Sequence, residues 1–249
     1  MMFKDYILVL VLAHILGDFY FQNTFIAKKK IEKFKYYLLH CVLYGIAVLL
    51  VFIPVWDKSY IIPLLQFSLS HALIDGIKIL IQNRQKHINK NSHIIFLLDQ
   101  ALHIICIILF AYYLNMQNII IQPIGCIMDI LSHISLSYMI IIKFLLLLLG
   151  NYRPCNILIR ITIKKYKPDF EVAEQKMGAG SIIGTLERYI ITVFLYIKQY
   201  SLIGLVLTAK SIARYSQLND DKKLAEYYLL GTLLSTIYSL VLFIVVIGM

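Results

Sequence analysis

The sequence predicts an all-α protein, a polytopic membrane helix bundle of about seven to eight transmembrane helices. Of its 249 residues, 60% are hydrophobic and 15% are charged, which is more apolar surface than a soluble domain can cover with polar groups. Apolar runs of about 18 or more residues recur along the chain, and each is long enough to cross about 30 Å of hydrocarbon. The positive charge, +10 overall, is concentrated in short segments between these runs, as in proteins that face anionic lipid. We therefore expect a single integral membrane domain over residues 1–249, in contact with membrane lipid and not with nucleic acid.

The apolar runs set the order of the predicted spans. The stretch 181–214 is too long for one span and carries Lys198 and Gln199 in its middle, so we divide it near Lys198–Ser201. The first run contains His14 and Asp18 and is followed by no small-residue cleavage site, so we interpret it as a retained helix. The predicted spans are 5–21, 37–54, 60–82, 93–114, 127–149, 181–197, 202–214 and 226–248.

Lysine and arginine predict the orientation of these spans. They concentrate in four segments, whereas the segments 55–59 and 115–126 are nearly neutral. By the positive-inside rule the four basic segments are cytoplasmic and both termini lie outside. A single span over 181–214 would put the last basic segment outside, which is the reason for dividing it. The four basic segments are 22–36, 83–92, 150–180 and 209–225.

Three predicted spans carry a histidine and an aspartate four residues apart, which places both on one helix face. A charge in the middle of a membrane costs about 2.5–3.5 kcal/mol on insertion scales, so such residues indicate a functional site. The pairs are His14 and Asp18, His71 and Asp75, and Asp99 and His103. A fourth pair, Asp129 and His133, falls near the opposite membrane surface in this topology, and we interpret it as structural or interfacial.

The order of each pair predicts a shared depth. The histidine comes first in the two inward spans and second in the outward span, so all three aspartates lie near the cytoplasmic ends, with the histidines about 6 Å deeper. Imidazoles and carboxylates together suit one or two divalent ions: zinc, manganese or iron. His40 is a candidate additional ligand. Polar packing between helices and a proton or ion path are the alternatives.

A second cluster contains Glu187 and Arg188, about two turns into the span 181–197. Glu187 as a general acid or base and Arg188 as an anion clamp form one hypothesis; an ion pair between helices is the other. Lys78 either pairs with a carboxylate or extends to lipid phosphate, and extension to lipid is the preferred alternative. We expect residues 168–177 to form an amphipathic surface helix. The candidate substrate-binding residues are Lys78, Lys210, Gln22 and Gln100.

These motifs resemble those of a bacterial family of multi-pass inner-membrane proteins with a domain of unknown function, and the resemblance extends over nearly the whole chain. The HxxxD pairs are also similar to those of bacterial inner-membrane proteins described as metal-dependent hydrolases. The motifs that carry the resemblance are His14-x-x-Gly17-Asp18-Phe19-x-x-Gln22, His71-x-x-x-Asp75-x-x-Lys78, Asp99-Gln100-x-x-His103, Gly184-x-x-Glu187-Arg188, Ala209-Lys210-Ser211-x-x-Arg214, Glu226-Tyr227-Tyr228 and Gly231-Thr232.

The preferred functional hypothesis is a metal-dependent hydrolase that acts on a lipid or a lipid-linked substrate at the cytoplasmic side of the bilayer. A transporter or ion-coupled carrier would use the same intramembrane residues, and a broken helix near Lys198 would favour it. A non-catalytic membrane partner subunit is the third hypothesis.

Overall fold

A computed structural model describes residues 2–84, 92–166, 179–215, 219 and 221–249. Helix accounts for 89% of the structure and the described residues contain no strand, which confirms the predicted all-α class. The helices are α1 (Met2–Ile15), continued by a π-helical segment Leu16–Phe21, α2 (Thr24–Glu32), α3 (Phe34–Phe52), α4 (Ile61–Arg84), α5 (Ser92–Met116), α6 (Gly125–His133), α7 (Tyr138–Gly150), α8 (Arg153–Ile163), α9 (Ala179–Tyr196), α10 (Tyr200–Ala213) and α11 (Lys222–Gly248).

Five helical stretches are long and apolar enough to cross a membrane, and Tyr200–Ala213 is a shorter apolar helix. Their outward faces are apolar: on α4, Leu65, Leu69 and Leu73 are between 60% and 68% exposed and form one stripe. These features support a membrane protein, whereas a count of seven to eight spans is not confirmed and stays a prediction. The five stretches are Phe34–Val55, Lys58–Arg84, Ile94–Met116, Tyr138–Tyr166 and Lys222–Gly248.

Two helix breaks test the predicted spans. The prediction of one continuous span over 127–149 is wrong, because α6 ends at His133 and Ser135 takes a positive φ of 51° before α7 begins. The predicted break near Lys198–Ser201 is confirmed, since α9 ends at Tyr196 and Lys198 takes a φ of 60°. The predicted surface helix at 168–177 lies outside the described residues.

By its contacts the chain divides into two compact units, Met1–Leu146 with Met249, and Leu147–Gly248. This division does not test the prediction of a single integral membrane domain, which stays a prediction. In the first unit α1 packs against α3 and α5, and α4 packs against both of these helices. Leu8, Val9, Leu10, Leu12 and Ala13 are each at most 2% exposed, as expected of a helix that is apolar on all sides and surrounded by protein.

The first unit has one basic end and one nearly neutral end. At the basic end, Asn83 Nδ2 on α4 donates to the Ile31 carbonyl of the lysine-rich α2, at 3.4 Å. At the other end, the Ile124 amide donates to the Pro54 carbonyl at 2.9 Å. A basic end and a nearly neutral end are what the positive-inside rule predicts if α2 lies on the cytoplasmic side.

In the second unit α11 packs against α8 and α9, and α10 packs against α9. Ile191, Leu195 and Ile203 form its apolar core. Gly150 permits a close approach to α11, because a Cβ atom there would lie 2.9 Å from a methyl carbon of Leu242.

Candidate metal centre

The first unit gathers a cluster of histidine and aspartate side chains from four helices. The π-helical extension of α1 supplies Asp18, and α1, α3, α4 and α5 supply the others. Six of the seven residues are at most 5% exposed, and the Asp18 side chain is 9% exposed. The His-Asp cluster, as we call it, consists of His14, Asp18, His40, His71, Asp75, Asp99 and His103.

Gly17 and Tyr44 bring α1 and α3 close together at the His-Asp cluster. A Cβ atom at Gly17 would lie 2.4 Å from a carbon of the Tyr44 ring, so only glycine leaves room for that ring. The Tyr44 ring stacks on His71 with the ring centroids 3.5 Å apart. The π-helical turn at Leu16–Phe21 places Asp18 beside His71, and π-helical turns are frequent at functional sites.

The closest contacts in the cluster join different helices. Asp18 Oδ1 lies 3.0 Å from His71 Nε2, and Asp75 Oδ2 lies 3.0 Å from His40 Nε2. Within one helix the corresponding side-chain distances are longer: 3.9 Å for His14 and Asp18, and 3.8 Å for the α5 pair. Aspartates of the cluster therefore contact histidines of other helices, and these contacts link the helices in one polar centre.

Several ring nitrogens in the cluster make no hydrogen bond. His103 Nδ1 lies 2.7 Å from the Asp99 carbonyl and donates to it, which leaves Nε2 as an acceptor. Among the described residues, His103 Nε2, both ring nitrogens of His40 and His71 Nδ1 are buried without a hydrogen-bond partner, as are Asp75 Oδ1 and Asp99 Oδ1. His40 Nε2 lies 3.0 Å from Asp75 Oδ2 and 3.4 Å from Asp18 Oδ1 but makes a hydrogen bond to neither. Unpaired buried polar atoms are costly, and a bound cation would satisfy the acceptor nitrogens and the carboxylate oxygens among them.

Three groups within the cluster have the donor types and spacing of a metal site. In each group one nitrogen or oxygen atom per residue lies within 4.8 Å of the others. The first and third groups share no residue, so by their spacing they could hold two separate ions. Carboxylates and imidazoles suit zinc, manganese or iron. The groups are His14, Asp18 and His71; His40, His71 and Asp75; and Asp75, Asp99 and His103.

Two lysines enter the cluster and pair with its carboxylates. Lys78 Nζ lies 2.6 Å from Asp99 Oδ2 and 3.9 Å from Asp75 Oδ1, so the preferred expectation that Lys78 extends to lipid is wrong. Lys30 on α2, which sequence reasoning missed, is 6% exposed and pairs with Asp75 Oδ2. Lys30 follows Ile26 by four residues and shares its buried face of α2, but the sequence does not show that this face is buried.

The two candidate glutamines also lie at the cluster. Gln100 Nε2 donates to Asp99 Oδ2 at 3.2 Å, and its Oε1 lies 3.5 Å from His14 Nε2. Gln22 Nε2 donates to the Asp18 carbonyl at 3.4 Å, while its buried Oε1 has no hydrogen-bond partner among the described residues. Their role in binding substrate stays a prediction. Asp129 and His133 are exposed on α6 and take no part in the three groups.

Glu187 belongs to the second unit, where it makes an ion pair between helices. Lys210 Nζ on α10 donates to Glu187 Oε2 at 2.5 Å. Tyr228 adds to this pair, because its hydroxyl donates to the Lys210 carbonyl and its ring lies 5.4 Å from the Lys210 ammonium. The contacts therefore match the alternative in which Glu187 forms an ion pair between helices. Its role as a general acid or base stays a prediction.

Among the described residues, Arg188 is the largest fully buried side chain, 1% exposed, and its hydrogen bonds there all go to uncharged acceptors. Nε donates to the Asn151 carbonyl at 2.7 Å. The two terminal nitrogens donate to Ser235 Oγ, Asn156 Oδ1 and Thr185 Oγ1, at 2.8–3.0 Å. Arg188 thereby joins α8, α9 and α11 in one polar network. Its predicted role as an anion clamp stays a prediction.

Fold and cluster define the chain as a helical membrane protein with a buried His-Asp centre. Residues 6–128 match the family described as "Protein of unknown function (DUF3307)". This match supports an uncharacterised family for that part of the chain. Neither a curated protein nor a solved structure matches the chain significantly.

The matched region contains the whole His-Asp cluster together with Lys30 and Lys78. Glu187, Arg188 and Lys210 fall outside it. The predicted resemblance over nearly the whole chain is therefore supported for residues 6–128 alone, and the likeness to metal-dependent hydrolases receives no support from the match.

Proposed function

We propose that this protein is a membrane-embedded, metal-dependent hydrolase that acts on a lipid or a lipid-linked substrate. The observation that carries the proposal is the set of buried ring nitrogens and carboxylate oxygens of α3, α4 and α5 that have no hydrogen-bond partners among the described residues and lie within the three His-Asp groups. Polar packing alone would pair these atoms, because unpaired polar atoms destabilise a protein interior.

The cluster fits hydrolytic chemistry. A divalent ion held by these residues would polarise a substrate oxygen and lower the pKa of a water molecule. The three residues of each group leave coordination positions for water and substrate, as in catalytic rather than structural metal sites. Hydrolysis would add the oxygen of that water to the substrate and leave its proton on the departing oxygen.

The substrate class follows from where the cluster lies. It is near the lysine-rich end of a unit whose outward faces are apolar, and by the positive-inside rule this end faces the cytoplasm. An amphiphile in the inner leaflet would present its head group at this depth. We place the protein in the bacterial inner membrane on the resemblance of its motifs.

The experiment is a hydrolysis assay on the purified full chain in detergent, with lipid esters and lipid phosphates as substrates. We expect Asp75→Asn and His103→Gln to lower the rate at least about 100-fold, since each removes one of few ligands. Asp129→Asn and His133→Gln are matched controls, because this pair has the same spacing and is exposed on α6. Equal activity in all four variants would refute a role for the cluster in catalysis.

A carrier for ions is the second candidate, and the break between α9 and α10 favours it. Lys198 interrupts an otherwise apolar helical stretch, and discontinuous helices line transport sites in many transporters. Flux of divalent metal into proteoliposomes, abolished by Asp75→Asn, would support the carrier and exclude a purely hydrolytic role. A non-catalytic partner subunit predicts neither flux nor hydrolysis.

A further inference from the structure

Lys30, which is buried, and Lys78, which is partly buried, are cations within a centre that could also hold metal ions. Lys30 is 6% exposed, and the Lys78 side chain is 21% exposed. They come from α2 and α4 and pair with two different aspartates, Asp75 and Asp99. These two aspartates belong to the third metal group together with His103. A metal ion and the two ammonium groups would therefore compete for the same carboxylates.

The formal charge of this centre determines what a metal-loaded form would bind. Three carboxylates and two ammonium groups give a charge of −1 when the imidazoles are neutral. One divalent ion changes this to +1, and two change it to +3. A buried positive charge is unfavourable without an anion nearby. A neutral ester or amide leaves this charge uncompensated, whereas a phosphate group compensates it and accepts several charge-assisted hydrogen bonds.

We infer that the substrate of the proposed hydrolase carries a phosphate group, and that Lys30 and Lys78 bind its oxygens once metal has taken the carboxylates. This inference rests on the proposed function. The phosphate belongs either to a lipid or to a soluble ester, and the chemistry of recognition is the same for both.

The reaction is the hydrolysis of a phosphate ester. The oxygen of water forms a bond to phosphorus, and the bond between phosphorus and the ester oxygen breaks with its electron pair left on that oxygen. A proton from the water moves to the departing oxygen, which gives an alcohol and a phosphate. Nothing is oxidised or reduced. The ammonium groups stay protonated and stabilise the charge on the phosphoryl oxygens.

The test measures metal content and binding of inorganic phosphate on the full chain in detergent, loaded with manganese or zinc. In the wild type we expect phosphate to bind at least about tenfold more tightly than acetate, because it carries more charge and more acceptor oxygens. Lys78→Met and Lys30→Met should weaken phosphate binding about tenfold or more while metal content is kept. Lys78→Arg should keep phosphate binding. Lys29→Met is the matched control, since the Lys29 side chain is 36% exposed, is adjacent to Lys30 and pairs with Glu32.

The outcomes separate this inference from the proposed function. Metal binding with equal affinity for phosphate in the wild type and both Met variants would overturn the phosphate inference and leave the hydrolase proposal standing. Loss of metal together with phosphate in Lys78→Met and Lys78→Arg would make the lysines structural and would also overturn the inference. A wild type that binds no metal would overturn both proposals. Competition by phosphatidic acid in mixed micelles but not by glycerol phosphate would assign the phosphate to a lipid, and the reverse would assign it to a soluble ester.

Discussion

At the scale of single residues, Gly17 controls the approach of α1 to α3 at the His-Asp cluster. A methyl group at this position would lie 2.4 Å from the Tyr44 ring, which itself stacks on His71. We expect Gly17→Ala to lower the free energy of unfolding by about 1–3 kcal/mol through overpacking. The measurement is thermal unfolding of the purified protein in detergent.

Gly45→Ala is the control for this substitution. Gly45 is on α3, one residue after Tyr44, and a Cβ atom there meets nothing within 4 Å. Alanine is also the better helix former, so this variant should be as stable as the wild type or more stable. Equal stability of the two alanine variants would show that Gly17 is not needed for the approach of the helices.

Arg188 supports the second unit through its hydrogen bonds to uncharged acceptors. Removal of the guanidinium leaves several buried acceptors unpaired, and each costs about 1–3 kcal/mol. We expect Arg188→Met to lower the free energy of unfolding by about 3 kcal/mol, measured by thermal unfolding. Arg160→Met on α8 is the control, because Arg160 is exposed. A loss of activity without a loss of stability in Arg188→Met would instead favour the anion clamp.

The spacing of residues predicted much of the cluster, Lys78 included, and missed Lys30. A histidine and an aspartate four residues apart share a helix face whatever surrounds them, so the three pairs could be found from local sequence. Lys30 could not be distinguished from the other lysines of 22–36 in the same way, because its burial depends on how α2 packs. Nor does the spacing show that Asp18 lies closer to His71 than to His14.

At the scale of elements, the break between α9 and α10 depends on the backbone of Lys198. Its φ of 60° lies in the left-handed region, which glycine adopts more easily than other residues. We expect Lys198→Gly to leave stability unchanged or raise it by up to about 1 kcal/mol. Lys198→Ile should lower it by at least about 1 kcal/mol, because a β-branched residue is disfavoured there. Thermal unfolding of the two variants checks this, and the opposite order would contradict the break.

The two helix breaks differ in how visible they are in the sequence. Lys198 and Gln199 are polar residues in the middle of an apolar stretch and indicate an interruption. The break after α6 spans residues 134–137, and a hydrogen bond from the Ile140 amide to Ser137 Oγ starts the next helix. Serines occur within membrane helices as well, so composition gave no reason to expect an interruption there.

At the scale of the whole molecule, the account requires the lysine-rich end of the first unit to face the cytoplasm. We expect a cysteine introduced at Lys33 to be labelled from the cytoplasmic side, and one introduced at Asn118 to be labelled from the opposite side. Both residues lie between helices, and they belong to the basic and the neutral segments respectively. Labelling of both from the same side, in a background without the four native cysteines, would contradict the orientation.

Metal content tests the central claim most directly. The measurement is elemental mass spectrometry of the protein purified in detergent without chelator, beside His71→Ala, Asp99→Ala and the exposed control His133→Ala. The account predicts one or two zinc, manganese or iron ions per chain in the wild type and the control, with loss of metal in the other two variants. A wild type without metal would contradict the account, and the His-Asp cluster would then be interpreted as polar packing or a proton path.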